Sequence, residues 1–213
     1  MSAATHSEAG RSGLVIGLTG PMCAGKNSAA RFFERRGFAV VDADAVAHQA
    51  LADVERSVLD AFSSEAASLG ISLLGPDGRL NRRALGALLF PNPRLLARHE
   101  GIVYPRINEL LGRFIDEHAE RGVVVNAPLL HRAPILDRCA FVIFVDAPVL
   151  IRFFRAWRRD RLPIRQILAR FSAQKALFAQ YISKNVDIVR VRNRGSLRAL
   201  ENQLAQTLSQ RGY

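Results

Sequence analysis

Lysine is almost missing from this chain. Of its 30 basic residues only Lys26, Lys175 and Lys184 are lysines, so nearly every positive charge is an arginine. Cysteine is also scarce: Cys23 and Cys139 lie too far apart for a metal-ligand spacing, and so few thiols make a reducing cytoplasm the expected compartment. No apolar run approaches the roughly 18 to 20 residues that cross a membrane. Residues 1–12, MSAATHSEAGRS, lack the apolar centre of a secretory signal and read as a loose N-terminal tail. Internal repeats and low-complexity tracts are missing. So are zinc patterns, aromatic RNP-like strands and helix-turn-helix signatures, which argues against a nucleic-acid partner despite the charge.

What is present is a chain of 213 residues, 49% hydrophobic, long enough for a full core in one domain or in one core with insertions. The net charge of +11 and pI near 11.0 call for an anionic partner, nucleic acid or a small polyphosphate. With nucleic-acid motifs missing, the polyphosphate leads. Its place is marked by Gly20–Asn27, GPMCAGKN, between the apolar run Leu14–Thr19 and a helical pattern beginning at Ser28. Strand, glycine loop and helix in that order suit the phosphate-cradling pattern G-x-x-x-x-G-K-[ST]. Its glycines let backbone N–H groups close around phosphate oxygens, and its lysine reaches the outer phosphates. Gly20, Gly25 and Lys26 fit. Asn27 does not, because it replaces the hydroxyl that ordinarily meets a magnesium ion. A lysine retained in so arginine-rich a chain suits a compact phosphate-binding charge. Cys23 either fills the loop or is an oxidisable thiol beside a helix N-terminus.

In chain order, the first helix ends near Arg36 and Gly37 follows as its C-terminal stop. The strand Phe38–Val41 leads to Asp42-Ala43-Asp44. Acids at the carboxyl end of a strand face the ligand crevice, which makes Asp44 a candidate base while at least one of the two aspartates caps the next helix. Residues 45–62 carry two helices with Val46, Leu51, Val54, Val58, Leu59 and Phe62 inward. Gly75-Pro76-Asp77-Gly78 is a turn, followed by a helix that ends near Phe90. A long helical pattern runs from Pro93 to about Arg121, with a break or kink expected at Tyr104-Pro105. Val123–Asn126, Phe141–Asp146 and Asp187–Val191 are strands, and continuous apolar runs of that length fit a parallel sheet covered on both faces. Val149–Arg159 is helical, Leu162-Pro163 breaks it, Ile164–Ser183 is one further helix, and Ser196–Ser209 is the last. Arginines crowd this part: Arg152, Arg155, Arg158, Arg159, Arg161, Arg165 and Arg170. Five strands alternating with helices define a doubly wound α/β layer.

Taken together these stretches resemble the dephospho-CoA kinase family. The matching pieces are IGLTG with the loop (16–26), VVDAD with Ala47 and Gln49, DGRLNRRAL (77–85), PLL (128–130), Arg155 with Arg159 and Asp160, Arg170 with Gln174, and NRGSL (193–197). The resemblance implies a three-layer α/β/α P-loop kinase fold on a parallel five-stranded sheet. Residues 13–44, 120–155 and 184–213 would form the nucleotide core, 45–119 a helical acceptor region, and 156–183 a helical lid. It implies ATP, held by Gly20, Cys23, Ala24, Gly25, Lys26, Asn27, Ser28 and Asn193, with Mg2+ (or Mn2+) weakly at Asn27. It implies dephospho-CoA near Asp44, Asn81, Arg82, Tyr104 and Arg106. Asp44 would take the ribose 3′-hydroxyl proton, and Lys26, Arg155 and Arg159 would neutralise the transferring phosphoryl. Arg152 and Arg158 share the Arg155 helix without a motif role. The chain departs from the family pattern at Asn27, His48, Tyr104, Asn126 and Arg132. Phosphorylation of another nucleoside or small alcohol, and non-catalytic binding of nucleotide or nucleic acid on the same frame, stay open at the level of sequence.

Overall fold

The computed structural model describes residues 11–160, 163–174, 177–183 and 186–213. Residues 1–10, Arg161, Leu162, Lys175 and Lys184 lie outside them, as do the side chains of Arg132 and Asp160. Two compact units are present: one comprises the chain up to Ala43 and from Gly112 onward, the other Asp44–Leu111.

The first unit is built on the apolar runs. Strands β1 (Val15–Thr19), β2 (Ala39–Asp42), β3 (Val123–Asn126), β4 (Phe141–Asp146) and β5 (Ile188–Arg192) pair in the order β2-β3-β1-β4-β5, every pairing parallel. β1 and β3 are buried along their whole length, as expected of strands covered on both faces. The registers align Leu18 with Asn126, and Asn126 with Asp42, so the loop after β1, Asn126 and Asp42 all stand at the carboxyl edge of the sheet. Helix α1 (Lys26–Arg35) packs Ala29, Ala30, Phe32 and Phe33 into the core. It stops where the glycine foretold. Gly37 has φ +85°, its N–H returns to the Glu34 carbonyl, and the Phe38 N–H reaches that of Phe33. The Phe33 and Phe38 rings meet edge to face at 5.4 Å, which completes a Schellman stop with its apolar clasp.

Two expectations for this unit are corrected. The tail was expected to be loose through residue 12, but Arg11 Nη1 donates to the Arg36 carbonyl (2.6 Å) and its guanidinium lies over the Phe38 ring. The helix expected over Ile164–Ser183 is two, α7 (Ile164–Ala173) and α8 (Leu177–Ile182). Gln174 caps α7 by donating its N–H back to Phe171 and Ser172. Helix α6 (Val149–Asp160) precedes them and α9 (Leu197–Ser209) closes the chain, its N-terminus capped by Ser196 Oγ.

The second unit is helical. Its elements are α2 (from Ala43 to Asp53), α3 (Glu55–Ser68), α4 (Arg82–Leu89) and most of α5 (Pro93–Glu117). Val58, Phe62, Leu85, Leu88, Leu89 and Val103 form its core. Of the expected inward set, Val58 and Phe62 are fully buried, Leu51, Val54 and Leu59 pack partly against the core, and Val46 is half-buried. The Gly75–Gly78 turn closes on a bridge between Leu74 and Leu80. The interruption of the helix at Tyr104-Pro105 does not occur, since α5 continues through Pro105 in 25 residues. An interior proline costs about 3 kcal/mol. The buried stripe Val103, Leu111 and Ile115 on either side of it outweighs that cost.

His99 of α5 stands beside Phe62 at 6.2 Å between ring centroids, with Nε2 buried and no partner among the described residues. Burial pushes its pKa below the ordinary 6.5, with Glu100 pulling weakly the other way. The unfolded chain therefore binds a proton that folded His99 resists, and stability falls as pH drops below about 6.5 until the folded value is reached. Melting curves at pH 7.5 and 5.5 should show a loss at the lower pH that is smaller in His99→Gln.

Candidate active site

The loop between β1 and α1 is shaped through its carbonyl oxygens. Gly20 O accepts from Lys26 Nζ (2.8 Å), Pro21 O from the Ala24 N–H, Met22 O from Arg152 Nε (2.9 Å) and Cys23 O from Arg155 Nη1 (3.2 Å). Ala24 O accepts from Asn193 Nδ2 (2.9 Å) and Arg155 Nη1, and Gly25 O from the Ser28 and Ala29 amides. Six consecutive carbonyls are thus occupied, which leaves the loop to present amides to a ligand. The Gly25 and Asn27 N–H groups find no acceptor among the described residues. No side chain caps α1, so its positive end is open to an anion. Both glycines are obligatory. A Cβ on Gly20 (φ +142°) would lie 2.1 Å from the Val145 carbonyl oxygen, and one on Gly25 (φ +109°) 2.2 Å from Asn193 Nδ2. Cys23 also takes a left-handed conformation, φ +60°.

The loop floors a cleft of about 590 Å³ lined by Lys26, Asn27, Arg31, Arg155, Arg158 and Arg159, together with Ser28 and Asn193. Five cations and no carboxylate line it among the described residues, which suits a polyphosphate. Gly25, Lys26, Asn27, Ser28, Cys23, Asn193, Arg155 and Arg159 are therefore brought together. Arg155 is already committed to the loop, since its Nη2 also reaches Asn193 Oδ1 at 3.4 Å. Asn193 is buried and receives the Gly195 N–H on the same oxygen, which ties the chain after β5 to the loop.

The remaining expected residues belong to the helical unit. Asp44 is exposed in the first turn of α2, inside the helix rather than in the connection before it. Asn81 caps α4, accepting the Ala84 N–H on Oδ1 at 3.0 Å. Arg82 is exposed and reaches the His48 carbonyl at 3.5 Å. Arg106 lies 2.7 Å from both Asp53 and Glu109, whose hydrogen bonds hold its pKa above the usual arginine value. Tyr104 is half-buried next to Pro105. Two residues near the loop escaped the motif reading, and a third was marked there only as a departure. Arg152 is one. Tyr181 is another, wholly buried, its Oη sharing a hydrogen bond with Thr19 Oγ1 (2.8 Å) and accepting the His131 N–H. The departure is Asn126, whose Oδ1 is buried without a partner among the described residues. The alternation of apolar residues that locates strands carries no signal for any of them. Cys139, half-buried, has its thiol pushed up to about 12 by desolvation and stays protonated.

Among the described residues no cluster of three or more His, Cys, Asp or Glu side chains could hold a metal by itself. A divalent ion that arrives with a nucleotide still fits, because such ions keep waters and phosphate oxygens as most of their ligands. Asn27, which lines the cleft, carries a neutral amide oxygen that could join that shell.

A parallel sheet with a cation-lined phosphate loop at its carboxyl edge defines a P-loop kinase. The family model for dephospho-CoA kinase matches residues 14–197, and the chain belongs to that family of ATP-dependent kinases. A dephospho-CoA kinase of Treponema denticola is 38% identical over 204 residues, 94% of this chain and 91% of that protein. One of Bacillus licheniformis is 35% identical over 92% of this chain and 95% of its own length. The crystal structure of a Thermus thermophilus protein, 30% identical, superposes with a TM-score of 0.77 over 92% of this chain and 97% of its own.

The loop geometry predicts that Gly25→Ala abolishes ATP binding measured by calorimetric titration. Its Cβ must displace Asn193 while the buried core is untouched, so the melting temperature should move by only a few degrees.

Proposed function

We propose that the chain phosphorylates the ribose 3′-hydroxyl of dephospho-CoA with ATP, giving CoA and ADP, the last step of coenzyme A biosynthesis. The observation that carries this reading is the loop whose six carbonyls all already accept hydrogen bonds, with Lys26 at its far end, inside a chain of this family. Amides of the loop and the N-terminus of α1 bind the β- and γ-phosphates. Lys26 then moves from the Gly20 carbonyl onto the γ-phosphate. Arg155 and Arg159 neutralise charge as the bond from phosphorus to the ADP oxygen breaks and the bond to O3′ forms. Asp44 takes the hydroxyl proton. Loose phosphoryl transfer leaves the protein chiefly positioning and electrostatic work, and the residue set suits that. The helical unit 44–111 supplies the acceptor site, with Arg82 and Tyr104 toward dephospho-CoA, while Arg106 and Asn81 hold the scaffold. Residues 156–183 act as the lid. No helix among the described residues is long and apolar enough to cross a membrane, and both cysteines are free, which suits action in the cytoplasm.

ADP release should be fast with dephospho-CoA and at background with AMP, adenosine or no acceptor. Asp44→Asn should keep dephospho-CoA binding and lose roughly a hundredfold or more of turnover. Wild-type turnover in that variant would remove Asp44 from the reaction.

A magnesium ion would complete the charge balance of bound ATP, and Asn27, which lines the cleft, would meet its shell weakly. Asn27 offers a longer, neutral ligand than a hydroxyl, so Asn27→Ser should lower the magnesium concentration for half-maximal activity, and manganese should serve the natural chain well. Superimposable titrations of the two forms would take position 27 out of the metal shell.

A further inference from the structure

Helix α6 is reversed for a surface helix. Leu150 and Phe154 are 73% and 63% exposed, whereas Arg152 is only 8% exposed. A guanidinium is not buried for packing alone, and this one is imperfectly satisfied: Nη2 is enclosed with no partner among the described residues. Its contacts run in two directions. Nε donates to the Met22 carbonyl, and the guanidinium carbon lies 4.3 Å from the centroid of the Phe171 ring on α7. The amide side of the same residue is held as well, because the Met22 N–H donates to Gln174 Oε1 at 2.8 Å. Met22 stands in the middle of the phosphate loop. Both polar groups of this one residue are therefore clamped by side chains from α6 and from the end of α7. Neither contact faces the cleft, since Arg152 and Gln174 are absent from its lining.

We propose that Arg152 is a positioning residue for ATP: stacked on Phe171 and opposed by Gln174, it fixes the Met22 peptide and with it the direction of the loop amides. The order of the phosphate loop thereby depends on the α6–α7 pair being in place. This rests on the kinase reading for its substrate, but the clamp concerns nucleotide affinity and is measurable without any acceptor.

The test uses Arg152→Met, Gln174→Ala and the double variant in the full chain. Methionine fills the space over Phe171 and removes the buried unpartnered donor, so the melting temperature should hold or rise. Affinity for a non-hydrolysable ATP analogue should nevertheless fall about tenfold, KM for ATP should rise in parallel, and KM for dephospho-CoA should stay within about twofold. Gln174→Ala should show the same pattern, and the double variant should lose less than the product of the two, because both act through one peptide group. Unchanged analogue affinity in Arg152→Met, a fall in melting temperature with both KM values shifted, or multiplicative losses in the double variant would each overturn the proposal. If wild type gives no ADP with dephospho-CoA while the variants still weaken analogue binding, the acceptor assignment fails and the clamp stands.

Discussion

The outward capture of the loop carbonyls is the interaction on which the rest of the site depends. A peptide chain offers donors and acceptors in equal number, and a loop can aim its N–H groups at a phosphate only if its C=O groups are satisfied elsewhere. Here the satisfaction comes from four directions: Lys26 within the loop, Arg152 and Arg155 on α6, Asn193 after β5, and the first turn of α1. Each is a positively charged or neutral donor. Lys26 and Arg155 do both, holding loop carbonyls and lining the cleft, so the building of the anion site also supplies part of its charge.

This arrangement also accounts for much of the arginine. A guanidinium can stack and donate at once, which an ammonium cannot. Among the described residues six arginines lie over phenylalanine rings: Arg11 on Phe38, Arg36 on Phe32, Arg98 on Phe62, Arg152 on Phe171, Arg190 on Phe178 and Arg211 on Phe141. Others make ion pairs, Arg190 with Asp146 and Arg106 with Asp53 and Glu109. The high charge is thus partly an internal adhesive, and five cations line the cleft.

The motif departures fall into two kinds. Asn126 and Asn27 are neutral amides where the family pattern has an aspartate and a hydroxyl, and Asn126 Oδ1 is buried with no partner among the described residues. His48 takes part through its backbone alone, as acceptor for Arg82, so the side-chain change there leaves that contact intact. Tyr104 stands in a helix that continues past Pro105, and its position is held by the buried stripe rather than by a turn.

The sequence by itself determined the parallel sheet, the place of the phosphate loop, the helix stop at Gly37 and the family. Each of these is written in local signals: apolar runs of strand length, glycines at left-handed positions, and motifs in a fixed order. It did not determine that Pro105 would be absorbed, that the helix after Ile164 would stop at Gln174, or that Asp44 would begin inside α2. Those outcomes depend on packing across the helix and on partners distant in the chain. Arg152 is the clearest case. Beside Arg155 and Arg158 it reads as one more charge on a solvated helix. Only the tertiary structure turns it inward, because Met22, 130 residues earlier, presents a carbonyl that needs a donor and Phe171 offers a face that a guanidinium can cover.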